Sequence, residues 1–219
     1  MGPALALSLW ATVKVKSTFT RYHRVPASTR ISGAEAARVL LGRAGLDIPV
    51  EQHPGKLSDH YDPRVQRLRL SPDVYHGRSL AAIGVAAHEA GHALQHATRY
   101  QPLMLRQAIA PAASFGSNAS WFILLGGFLM GSMALIKLGI FFFSLVVAFQ
   151  LVTLPVELNA SARAKQMVFQ YGMVTEGERA GVAKVLSAAA MTYVAAALSG
   201  VLTLLYYLLR AGLLGGGDE

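Results

Sequence analysis

The sequence predicts a mainly α-helical membrane protein: a small α+β lobe with a short sheet or hairpin, plus three to four transmembrane helices. Composition is the first observation, with 219 residues that are 53% hydrophobic and only 15% charged. The second is three segments, 117–136, 138–154 and 185–209, each apolar over the roughly 17–25 residues that a helix needs to cross hydrocarbon. The third is that residues 16–113 mix capped helical stretches with short alternating runs, the pattern of a folded lobe and not of a span.

Segment 1–13 is apolar and ends at Lys14 and Lys16. Thirteen helical residues rise only about 20 Å, short of a core about 30 Å thick, so it reads as an incomplete span. Its charges follow the apolar stretch, which favours a signal anchor with the N-terminus outside over a cleaved signal peptide. Ser32-Gly-Ala-Glu35 is a capping box that opens a helix closing near Gly45. Residues 48–53, 57–61 and 65–70 read as strands, with Asp62-Pro63 supplying the turn between the last two. As an edge strand, 65–70 could pair with an extended substrate, against the equally open reading of ordinary sheet packing. Ser71-Pro72 caps a short turn that stops at Gly77, and Ser79 caps the helix after it. Lys137 marks the turn between the first two spans, and Pro155 can open a new helix with Glu157 in its first turn. The resulting division is an anchor at 1–16, a lobe at 17–116, a membrane hairpin at 117–154, a helix at 155–184, a last span at 185–210 and a tail at 211–219, whose Gly215-Gly216-Gly217 stretch is expected to be disordered.

The 20 Lys+Arg against 12 Asp+Glu give a formal charge of +8. Fourteen of the 20 lie singly between Lys14 and Arg106, without a basic run or interleaved aromatics, which disfavours nucleic acid and fits an anionic membrane surface. Counting Lys and Arg around the spans leaves only Lys137 and Arg210 outside and puts the lobe at the cytoplasmic face. The three spans contain no acidic residue and no histidine, which argues against a transport path. There is no cysteine, so any metal site must use histidine and carboxylate.

The chemistry concentrates in Ala86-Ala-His88-Glu89-Ala-Gly-His92-Ala. On a helix, His88 and His92 project from one face about a turn apart, which suits two imidazoles on one ion, with Glu89 beside them as general base. Zinc bound there would lower the pKa of its water to about 7 and polarise a peptide carbonyl. Such a site needs a third protein ligand. His96 lies about 12 Å along the axis from His88, too far to share the ion, and reads as a surface or supporting residue. Gln95 and Thr98 stand where the extended three-histidine motif requires glycine and histidine. Glu157 stands out because a hairpin crosses the bilayer twice and so returns it to the side of His88 and His92; Glu51, Glu35 and His60 remain alternatives. His60 could also donate a hydrogen bond to an oxyanion, against the plainer reading of a surface turn histidine.

The stretches KVKSTF (14–19), PGKLSDHYDP (54–63), LSPDVY (70–75), GVAAHEAGHALQH (84–96) and FQLVTLPVE (149–157) together resemble the YugP-type neutral zinc metallopeptidases, membrane-anchored proteins found mainly in bacteria. The resemblance runs over nearly the whole chain. It implies a zinc-dependent endopeptidase of gluzincin-like layout, one catalytic Zn²⁺, His88 and His92 as ligands and Glu89 as catalyst. The layout is also similar to HtpX and the CAAX prenyl proteases, whose third ligand is a glutamate on a later helix, matching Glu157. Asn159 and Ser161 stand where related sequences carry aspartates. The expected partners are a polypeptide substrate, membrane or membrane-proximal, and membrane lipids, with no nucleic acid. The expected location is the bacterial plasma membrane, with the site at its cytoplasmic face. The competing class is a catalytically silent membrane scaffold in which zinc only ties helix to helix.

Overall fold

The computed structural model describes residues 2–214; the glycine tail from Gly215 onward lies outside the described residues. Ten elements follow in order: α1 (Gly2–His23), α2 (Gly33–Arg43), β1 (Val50–Gln52), β2 (His60–Asp62), β3 (Arg67–Leu70), α3 (Pro72–Tyr75), α4 (Leu80–Ala97), α5 (Gln101–Leu129), α6 (Met133–Gln170) and α7 (Glu176–Arg210). The protein is a helical membrane protein with a small sheet, and α5, α6 and α7 are long and apolar enough to cross a bilayer.

Local chemistry sets the lobe's boundaries. Ser32 Oγ accepts from Glu35 N–H while the Glu35 carboxylate accepts from Ser32 N–H, so the capping box starts α2 as its sequence predicts. Ser79 caps α4 by accepting from Ala82 N–H. Ser71 behaves differently from its expected role: its hydroxyl and its N–H both donate to the Asp59 carboxylate, and it makes no side-chain cap on α3.

The sheet has the order β1-β3-β2, with β3 parallel to β1 and antiparallel to β2. The segment expected to be an edge is therefore the centre, and the free edge beside α4 is β2. One face of β3 is covered, with Leu68 and Leu70 fully buried in the core, while Arg67 and Arg69 occupy the other, open face. The core then forms where α2, α4 and the inner turns of α6 and α7 meet the sheet, around Leu40, Leu68, Leu70, Ile83, Val168, Val182 and Leu186.

The long helices differ from their expected bounds in five places. α1 does not stop at Val13 or break at residue 16; no glycine or proline interrupts residues 4–25, and the helix runs about 33 Å before ending ahead of Pro26. It packs along α7, with Ser8 Oγ 3.1 Å from Ser199 Oγ. α5 begins at Gln101, not Ser117, with Pro102 in its first turn and Pro111 inside it. The hairpin turns at Gly131 (φ 63°), and Ser132 caps α6 by accepting from Leu135 N–H, so Lys137 already lies within the helix. Pro155 does not start a helix either. α6 continues through it to Gln170, and the break expected at residue 184 comes instead at Gly172 (φ 62°), where a new capping box, Thr175 with Glu178, opens α7.

The 38 residues of α6 span about 57 Å, nearly twice the hydrocarbon thickness, so one helix runs from bilayer to lobe. Phe122, Leu129, Phe141, Leu151 and Leu202 stay exposed on the three apolar helices, surface that suits lipid and not water.

Candidate metal and active site

Two elements supply the central donors. The four-residue spacing on α4 sets the His88 and His92 rings at a 4.7 Å centroid separation, nearly perpendicular at 85°. From α6, Glu157 Oε2 lies 3.1 Å from His88 Nε2 and 3.4 Å from His92 Nε2. One ligand atom from each residue falls within 4.8 Å of the others, a group that could hold a metal ion. The Glu157 side chain is 2% exposed and the two imidazoles 12–13%, so water screens the cluster little.

The outer atoms of the cluster say which cation it suits. Gln95 Oε1 accepts from His92 Nδ1–H at 3.0 Å, because Gln95 Nε2 is committed to Val156 O (2.8 Å) and Asn159 Oδ1 (3.0 Å). Ser161 Oγ lies 3.2 Å from His88 Nδ1. With both Nδ1 atoms engaged outward, the Nε2 lone pairs and a carboxylate oxygen converge on one point. Three acceptors facing one another call for a cation, and two imidazoles with one carboxylate fit divalent zinc. Consistent with that field, burial would lower the His92 pKa, but its contact with Glu157 and the nearby Glu89 charge raise it overall.

Glu89 is buried beside the cluster, and Tyr61 N–H of β2 donates to its Oε2 at 2.9 Å. A cavity of about 320 Å³ opens here, bounded by His60 and Tyr61, by His88, Glu89 and His92, and by Arg106, Glu157 and Tyr193. Gln107 also lines it, and its buried Nε2 has no hydrogen-bond partner among the described residues.

The remaining candidates are elsewhere. Glu35 is occupied in the α2 cap, and Glu51 is ion-paired with Arg67 on the sheet. His60 lines the cavity but its Nδ1 is 2.8 Å from Ser58 O, and it is not in the donor group. His96 Nδ1 is 2.9 Å from the Tyr61 hydroxyl, tying β2 to α4.

Four residues that surround the cluster are not among the candidates named from the sequence. Arg106 Nη1 donates to Glu157 Oε1 at 3.2 Å, Gln95 links His92 to α6, Tyr193 reaches the cavity from α7, and Asp59 lies against Ser71 near Glu89. Burial raises the Asp59 pKa against the two Ser71 hydrogen bonds that lower it, and the Glu89 charge adds to the rise. For Gln95 a clue existed, since it is i+3 from His92 on the same helical face. Arg106 was visible only as a basic residue just ahead of an apolar segment.

A family model described as "Putative neutral zinc metallopeptidase" matches residues 1–212. A curated relative, "Putative membrane protease YugP" of Bacillus subtilis (strain 168), is 53% identical over 217 residues, covering 99% of this chain and 96% of that protein. No solved structure gives a significant match. Because the family match runs through every helix that delivers a donor to His88, His92 and Glu157, the chain belongs to the family of neutral zinc metallopeptidases.

Proposed function

We propose that the protein is a membrane zinc endopeptidase in which His88, His92 and Glu157 hold one zinc ion and Glu89 is the general base. The observation that carries this reading is the convergence of three acceptor atoms, from a lobe helix and a membrane helix, beside a buried carboxylate outside the donor group. When bound, zinc supplies the Lewis acid that makes water nucleophilic near neutral pH and polarises the peptide carbonyl.

The chain's own groups then have distinct tasks. Glu89 takes the proton of the attacking water and passes it to the leaving amine. Tyr61 N–H holds the Glu89 carboxylate in place through its 2.9 Å hydrogen bond. Gln95 and Ser161 keep the two imidazoles in the tautomer that leaves Nε2 free. The outer edge of β2 lies along the cavity, which supports an extended substrate laid beside it.

The substrates that fit are membrane or membrane-proximal polypeptides, because the site sits where α6 leaves its apolar stretch. The distribution of Lys and Arg supports a reading in which this face lies on the cytoplasmic side of a bacterial plasma membrane. A silent zinc scaffold would not need a buried carboxylate placed next to the ion without binding it.

Glu89→Gln should keep wild-type zinc content and lose cleavage of an unstructured protein substrate, whereas Glu157→Ala should lose zinc while still inserting in the membrane. Equal cleavage by Glu89→Gln and wild type would exclude this mechanism.

A further inference from the structure

A second cavity, about 260 Å³, lies on the other side of His88 and Glu89. Its walls are Phe19 of α1, Val85 of α4, and Val185, Leu186 and Ala189 of α7, and the exposed Leu57 also lines it. It shares Asp59, His88, Glu89 and Tyr193 with the polar cavity that contains the donor cluster. The two are therefore adjoining halves of one cleft, with Glu89 between them. One half is lined by Arg106, Gln107 and His60; the other presents mainly apolar surface, from Val15, Phe19, Leu57, Val85, Val185, Leu186 and Ala189.

Leu57 strengthens the assignment. It is 56% exposed and adopts φ 54°, a left-handed conformation that a leucine seldom takes, in the segment that leads into β2. An exposed apolar side chain held in a costly backbone conformation at the rim of an apolar cavity suits closure over an apolar guest.

We infer that this cavity is the specificity pocket of the peptidase, accepting a large aliphatic or aromatic side chain next to the scissile bond. This rests on the proposed peptidase activity. The physical basis is continuity: a substrate carbonyl held at the donor cluster and an extended chain along β2 would place a neighbouring side chain, a few ångströms away, at the shared wall of His88 and Glu89. Apart from Lys16, Asp59, His88, Glu89, Thr192 and Tyr193 the lining is apolar, so a large apolar side chain is the guest that gains most from burial there. Lys16 stands at the rim, where its stem can lie along the apolar wall with the charge outward.

The test uses the full-length protein in detergent or vesicles with peptides that differ only in the residues flanking the cleaved bond. Wild type should cleave Leu- or Phe-containing peptides on the order of 100-fold better than the Ala equivalents. Ala189→Phe, which fills the cavity, should collapse or invert that ratio, whereas Phe19→Ala, which enlarges it, should shift preference toward larger residues. Zinc content should match wild type in both.

A binding readout is independent of turnover. The chain has no cysteine, so Ala189→Cys on a Glu89→Gln background gives a unique thiol. A Leu- or Phe-containing peptide should protect it from a maleimide, and its Ala equivalent should not. A wild-type protein indifferent to flanking residues, a ratio unchanged in both cavity variants, or a thiol shielded equally with and without peptide, as a lipid or detergent tail would shield it, overturns the assignment. Equal cleavage by Glu89→Gln would instead remove the peptidase mechanism, and the thiol experiment would still decide whether the cavity takes apolar side chains.

Discussion

Gly91 packs directly against the backbone of Ala160: a Cβ at residue 91 would sit 2.7 Å from the Ala160 carbonyl oxygen. This contact lies on α4 between His88 and His92 and on α6 one turn beyond Glu157, so it sets the distance between the two halves of the donor cluster. The absence of a side chain at residue 91 lets a carboxylate on a membrane helix touch two imidazoles on a lobe helix.

Gly91→Ala should therefore separate α4 from α6. The expected cost is about 1–3 kcal/mol from overpacking, since the obstacle is backbone and cannot rotate away. Zinc affinity should fall as well, because Glu157 moves with Ala160. Metal titration together with thermal unfolding checks both effects, and a variant with wild-type affinity would show that the close approach does not govern the site.

Gln95 is fully buried and is the hub joining His92 Nδ1, Val156 O and Asn159 Oδ1; Asn159 is held in turn by Arg163 Nε at 2.8 Å. Gln95→Leu leaves these groups without their partner and should destabilise the protein by about 1–3 kcal/mol. It should also weaken zinc binding on the order of 10–100-fold by freeing the His92 ring. Ser161→Ala removes one longer contact to His88 and should cost less on both measurements.

Arg106 acts through Glu157 as a positioning residue. Its guanidinium engages Oε1, which leaves Oε2 directed at the imidazoles. Arg106→Ala should weaken zinc affinity on the order of 10-fold, and Arg106→Lys should recover only part of this, since an ammonium keeps the charge but not the fork geometry. Zinc dissociation followed with a chelator reads this without any substrate.

Asp59 should make stability fall with pH. Its folded pKa is raised, chiefly by burial, so its stabilising contribution is complete below its ordinary value of about 4 and is lost as pH rises through the folded value. Asn accepts the same two Ser71 hydrogen bonds without ionising. Asp59→Asn should therefore match or exceed wild-type stability at neutral pH, and its unfolding midpoint should change less between acid and neutral pH.

Much of the lobe was legible because its signals are local. The Ser32-Glu35 capping box, the Ser79 cap and the four-residue interval from His88 to His92 depend on atoms within one turn of helix. The sheet was less legible, since strand order is a matter of long-range pairing: β1 and β2 both join β3, and no feature of residues 65–70 alone says that they lie in the middle. The helix start expected at Pro155 does not form, because that proline is accommodated inside α6.

By itself the sequence determined that apolar helices accompany a polar lobe, that any metal must rest on histidine and carboxylate, and that Glu89 and the two imidazoles share a helix. These are consequences of composition and of helical periodicity, which a chain carries whatever it packs against. Only the tertiary structure decided that Glu157 meets the imidazoles, that Arg106, Gln95 and Ser161 hold the cluster from outside, and that an apolar chamber adjoins it. Those relations join residues 51 to 73 positions apart, or assemble walls from α1, α4 and α7, and they exist only once helices from bilayer and lobe are packed together.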